Sequence, residues 1–165
     1  MSREGCPIRV VGCGSPQGDD ALGWQVIRLL RDEDLPAGVE LHAVEGGHQL
    51  LDVLDGHGTL VLVDAMASGA AAGAIHRYDW PDLPLESLRP GTTHHLRPAE
   101  ALRLAAALGL LPSRVIVWGI EAENFEAQTD LSTAVAAAVP ELVLSIAKEL
   151  DHARDVAPAG AAHSN

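Results

Sequence analysis

The chain is poor in cysteine, poor in positive charge and without a long apolar run, and each shortage closes off a class of protein. Its two cysteines, Cys6 and Cys13, fall in one segment expected to form the first strand. Residues close together on an extended strand cannot reach each other for a disulfide. Both are therefore expected as small buried hydrophobes in a reducing compartment. There is no CxxC pair to build a structural zinc site. Against 23 Asp and Glu stand only 11 Lys and Arg, a formal net charge of -12. Such a surface repels duplex nucleic acid and anionic membranes, and no basic stretch offsets it. No apolar run approaches the roughly 20 residues of a membrane span; the richest, Thr133 to Leu150, is broken by Pro140, Glu141 and Lys148. The opening Met1-Ser2-Arg3-Glu4-Gly5 carries an acid and runs at once into a strand-like segment, so it does not read as a signal peptide. A cytoplasmic protein is expected, with no membrane and no nucleic-acid partner.

What is present is a regular alternation of apolar and amphipathic runs. At 165 residues, 47% of them hydrophobic, the chain has room for one core. Alternation of this kind predicts an α/β fold: three layers, a twisted, mostly parallel sheet of about five strands with one antiparallel strand, and helices on both faces. Strands are expected at Ile8–Cys13, Val39–Val44, Leu60–Asp64, Ala74–Tyr78 and Arg114–Gly119. Helices are expected from about Asp20 to Asp32, His48 to Leu54, Pro98 to Leu108 and Ser132 to Leu150. In the first, Leu22, Val26, Leu29 and Leu30 should face inward. No helix fits between the third and fourth strands, which predicts that these two are antiparallel neighbours. Residues 1–150 are expected to form the single domain, and residues 151–165, rich in Ala, Pro, Gly, His and Ser, a flexible tail.

Functional groups of an open parallel sheet gather at the carboxyl ends of its strands. Three loops bring chemistry to that edge: Gly12-Cys-Gly-Ser-Pro-Gln-Gly-Asp19-Asp20, Asp64-Ala-Met66, and Thr92-Thr-His94-His95. Each has an ordinary alternative. Asp19 and Asp20 could simply cap a helix, Asp64 could be a solvated turn acid, and His94 or His95 a surface histidine. Taken together they point to a metal site. Two carboxylates alone would repel each other, whereas a divalent cation with an imidazole as third ligand removes the conflict. Such donors suit zinc, nickel, iron or manganese. A dinucleotide site fits poorly, because Gly12-x-Gly14-x-x-x-Gly18 departs from the usual glycine spacing and two aspartates stand where a pyrophosphate would sit. There is no GxSxG, and neither cysteine stands at a helix-start elbow.

Val10-Val-Gly-Cys-Gly-Ser-Pro-Gln-Gly-Asp-Asp-Ala-Leu-Gly23 resembles the opening motif of the hydrogenase maturation endopeptidases. Leu62-Val-Asp64-Ala, Thr93-His94-His95-Leu96, Trp118-Gly-Ile-Glu121 and Leu131-Ser132 resemble their later motifs in order and spacing, over about residues 8 to 150. The resemblance implies a protease that removes a C-terminal extension from the precursor of the [NiFe]-hydrogenase large subunit. Cleavage would follow a His or Arg just beyond a CxxC motif, once nickel and iron are in place. Its metal ligands would map onto Asp20, Asp64 and His94, the Thr-His-x-Leu register choosing His94 over His95. Nickel would be supplied by the substrate, with no organic cofactor. Glu45-Gly-Gly-His-Gln49 stands where the family has an acid-Gly-Gly-Thr-x-Gly loop that meets the substrate; the resemblance implies that Gly46, Gly47 and His48 do so here, and the departures from that loop bear on the choice of precursor. Ser15 stands where Asn is usual, and Asp20 where several members carry Glu. Two other functions are compatible with these residues: a non-catalytic checkpoint protein that senses nickel in the precursor, and a small nucleotide-binding domain.

Overall fold

The apolar runs do become the centre of a sheet. The computed structural model describes residues 5–84, 88, 96–126 and 130–155. Its strands are β1 (Ile8–Cys13), β2 (Val39–Val44), β3 (Thr59–Met66), β4 (Ile75–Asp79) and β5 (Arg114–Glu121), in the spatial order β2-β1-β3-β5-β4. All neighbours are parallel except β4, which runs antiparallel to β5. β3 is buried from Leu60 to Met66, as a strand paired on both sides and covered on both faces must be.

Among the described residues four α-helices cover the sheet: α1 (Leu22–Leu30), α2 (Gly47–Asp52), α3 (Pro98–Ala107) and α4 (Thr133–Asp155). Side chains alternate across each strand. Val61, Val63 and Ala65 of β3 join one apolar cluster with Leu22, Val26, Ile27 and Leu30 of α1 and Val135, Val139, Leu142, Val143 and Ile146 of α4. Leu60, Leu62 and Met66 join a second, with Leu50 of α2 and Ala101, Leu102 and Ala105 of α3. The helices thus lie in two layers, α1 with α4 and α2 with α3; right-handed crossovers from β1 outward to β2 and back to β3 put α1 and α2 on opposite faces.

Several expectations are corrected. The fourth strand is antiparallel, but its neighbour is β5, not β3. The buried β5 inserts beside β3, while the half-exposed β4, with charged Arg77 and Asp79, is left at the edge, where charge discourages further pairing. The first helix starts at Leu22, after a separate 3-10 turn over Gly18–Ala21. In it Ile27 is buried, whereas Leu29 is only partly so. Cys13 is buried, but Cys6 lies ahead of β1 and is exposed; neither is in a disulfide. α4 continues to Asp155, so 151–155 is helical where a tail was expected; 156–165 fall outside the described residues. No helix among the described residues is long and apolar enough to cross a membrane.

Candidate active site

Strand order reverses at β1: the chain steps outward from it to β2, then back across it to β3. At such a switch point the loops leaving the central strands diverge and leave a crevice at their carboxyl ends. A cleft of about 410 Å³ lies there. Cys13 and Gly14 at the end of β1 line it with Ser15 to Gln17, Glu45 to Gln49, Leu96 to Pro98 and, from β3, Asp64.

Backbone contacts fix the walls. A Cβ on Gly12 would collide with the carbonyl oxygen of Gly23, and one on Gly23 with that of Cys13. The two glycines let α1 press directly on β1. Gly14 is pinned likewise: a Cβ there would strike the carbonyl of Asp20, and its N–H donates to Val44 O at 3.0 Å. Gly12, Gly14 and Gly23 thus serve close backbone packing around the β1–α1 connection. On the other wall Gly47 N–H donates to Leu96 O at 2.9 Å, and a Cβ on Gly47 would lie 2.7 Å from that oxygen. The Gly46–Gly47 loop therefore abuts the segment leading into α3. Glu100 holds that segment by accepting from Arg97 N–H at 3.2 Å, and Gln49 Oε1 accepts from Glu45 N–H at 2.9 Å.

Among the described residues the buried charged side chains are Asp19, Asp20, Asp64 and Glu121, and all stand at the carboxyl edge. Asp64 lines the cleft, one carboxylate oxygen accepting from Ala65 N–H at 2.9 Å. Asp20 is fully buried in the 3-10 turn that packs against β3. Three residues on, Gly23 stands so close to Val63 that an added Cβ would lie 3.0 Å from its carbonyl oxygen. The turn bearing Asp20 and the strand bearing Asp64 are thus neighbours, though Asp20 is not among the residues lining the cleft. Gly46, Gly47 and His48 all line it, together with the Ser15–Gln17 loop. His94 and His95 lie outside the described residues, and among the described ones no group of three or more His, Cys, Asp or Glu is placed to hold a metal ion.

Two acids have a different part. Asp19 accepts from the N–H groups of Glu123, Asn124 and Ser132 at 2.8, 2.9 and 2.7 Å and from the Ser132 hydroxyl at 2.9 Å. Its own N–H donates to Asn124 O at 2.7 Å. Burial alone would raise its pKa; the hydrogen bonds from Ser132, Glu123 and Asn124 outweigh that and hold the carboxyl below the usual range. Glu121 similarly accepts from Ser68 N–H, Gly69 N–H and the Ser68 hydroxyl at 2.8, 2.9 and 2.7 Å, with His76 Nε2 at 3.3 Å. Neither role has a local signal. The partners of Asp19 lie 104 to 113 positions away, and only the placement of Glu121 at a strand end hints at any role.

Residues 43–149 match the model of the HycI family, hydrogenase maturation protease. No curated protein sequence matches the chain. Among solved structures it is similar to the hydrogenase maturating endopeptidase HybD from E. coli, with 23% identity over 89% of this chain and 93% of that one and a TM-score of 0.78. It is also similar to the [NiFe] hydrogenase maturation protease HycI from Thermococcus kodakarensis KOD1, at 20% identity, 88% and 92% coverage and a TM-score of 0.65. These likenesses are of fold, and they agree with the sheet and helix layers described above. The family match spans well over half of the 165 residues and takes in the Gly46–Gly47 wall, Asp64 and α3. On that match the chain belongs to the hydrogenase maturation protease family.

Proposed function

We propose that this protease removes the C-terminal extension of a nickel-loaded [NiFe]-hydrogenase large-subunit precursor, engaging the precursor's nickel through Asp20, Asp64 and His94. The observation that carries the reading is the position of Asp64. It is a buried carboxylate on the wall of an open cleft, at the point in the sheet where substrates of α/β enzymes bind. The turn bearing Asp20 packs against the same strand. His94 precedes Leu96, a residue of the cleft wall, by two peptide units.

Two carboxylates and an imidazole are donors that suit nickel. Nickel held in the precursor supplies Lewis-acid polarisation of the scissile carbonyl or of the attacking water. The chain's own part is positioning. Ala65 N–H orients the Asp64 carboxylate, and one acid serves as ligand or as general base toward water. Gly46, Gly47 and His48 form the wall along which the extended C-terminal segment is seated. Bare backbone at the two glycines lets a peptide approach closely, and His48 stands exposed beside them. The reading carries with it a cytoplasmic location and no organic cofactor.

The test is incubation of the purified protein with nickel-loaded precursor and, in parallel, with nickel-free precursor, followed by intact-mass measurement. Loss of the C-terminal segment from the loaded form alone is expected. Equal cleavage of both forms would remove nickel from the mechanism. No cleavage of either, with the complex still forming, would favour a protein that senses nickel without cutting.

A further inference from the structure

A second concavity, of about 490 Å³, opens between α4 and the β4–β5 edge. Arg77, Arg114, Lys148 and His152 line it beside Trp118 and Glu149. In a chain of net charge -12, three full cations facing one acid is a local reversal of sign. The acid is already committed. One Glu149 carboxylate oxygen accepts from Trp118 Nε1–H at 2.8 Å and the other from Arg77 Nε–H at 2.7 Å. Arg77 also donates from Nη1 to Asp79 at 3.0 Å and stands 5.8 Å over the Trp118 ring. These contacts fix its guanidinium and leave Nη2 with no hydrogen-bond partner among the described residues. Arg114 and Lys148 have neither an ion pair nor a side-chain hydrogen bond among the described residues. The groove therefore holds a preorganised guanidinium flanked by two uncommitted cations over an aromatic wall.

We propose that this groove is a docking site for a short acidic segment of a partner protein, separate from the cleavage cleft. Arg77 offers the N–H groups of a fixed Nη2 to a carboxylate, and Arg114 and Lys148 supply charge on either side. Charge complementarity favours a peptide over a nucleic acid. The remaining surface is strongly acidic and repels a long polyphosphate along its length, whereas a few Asp or Glu side chains need only the local patch. The groove lies on the α4 face, where Trp118 packs. Asp64 shares the opposite face with Leu62 and Met66, on the side of α2 and α3. A partner held here leaves the cleft open, so both sites can be filled at once.

The experiment is fluorescence anisotropy with the full chain and a labelled Asp/Glu-rich peptide, beside the same peptide with Asn and Gln in place of the acids. Saturable binding of the acidic peptide alone is expected. It should weaken as ionic strength rises, and by about tenfold or more in R114E/K148E. Both substitutions are at exposed ends of side chains, and circular dichroism verifies that the variant is folded. Asp64→Asn should bind the peptide as the parent does, so failure of the cleavage reading leaves this test intact. Unchanged affinity in the charge-reversal variant would overturn the proposal. So would equal competition by inorganic phosphate or a single-stranded oligonucleotide, which would make the groove a general anion site. Concentration-dependent self-association abolished by R114E/K148E would also overturn it, assigning the groove to a second copy of the chain.

Discussion

The two ends of the sheet's carboxyl edge use the same kind of residue for opposite purposes. At the β5 end, Asp19 and Glu121 are buried with their oxygens taken up by N–H and hydroxyl donors from loops far away in the chain. They hold the β1–α1, β3–β4 and β5–α4 connections in place and leave nothing over for chemistry. At the β1–β3 end, Asp64 is as deeply buried but borders an open cleft. A buried acid is costly wherever it stands. What marks Asp64 out as a candidate catalyst is that the fold places it on the wall of a space a substrate can fill.

That contrast can be broken most directly at Asp64. Asp64→Asn keeps an oxygen for Ala65 N–H, so the thermal midpoint should hold while processing of nickel-loaded precursor falls by about a hundredfold or more. A thermal melt reads the first quantity and intact-mass time courses the second; normal processing by the variant would erase the distinction between the two ends.

The opposite response is expected at Asp19. Asp19→Ala strands three backbone N–H groups and a hydroxyl, and should cost about 3 kcal/mol or more in urea unfolding. Whatever activity is lost should track the unfolded fraction. A variant as stable as the parent would show that the hydrogen bonds to Ser132 and Asn124 do not hold the edge.

The smallest effect is one of pH. The Asp19 carboxyl is held below its ordinary value in the folded chain. Its contribution to stability is therefore complete above about pH 4, the unfolded range. It is lost as pH falls through the depressed folded value. Urea midpoints between neutral pH and pH 3 should fall more steeply for the parent than for Asp19→Asn, which has no such proton to take up. Parallel curves would remove Asp19 from the acid response.

Much of the fold is written in periodicity. The strand segments at Ile8, Val39, Leu60 and Arg114 announce themselves as apolar runs, and α4's inward set of Val135, Val139, Leu142, Val143 and Ile146 is legible from helical spacing. Strand order is not. Nothing local says that Arg114–Glu121 would enter the sheet between β3 and Ile75–Asp79, because pairing is a contest among whole strands for the buried centre. The site divides in the same way. Asp64 is visible as an acid closing an apolar strand, and Gly46 and Gly47 stand out through the motif they resemble. Asp19 and Asp20, adjacent and chemically identical, are not separable by local chemistry: the motif they resemble picks out Asp20, and only the β5–α4 connection shows what holds Asp19.

Sequence alone determined the α/β class, the approximate strand and helix segments and the set of acids at the strand ends, since hydrophobic period and chain-local turn chemistry depend only on near neighbours. Tertiary structure alone decided which of those acids are saturated and which borders the cleft. It also gathered Arg77, Arg114 and Lys148 into one groove, because such assignments rest on donors and charges from residues that meet only when the sheet is assembled.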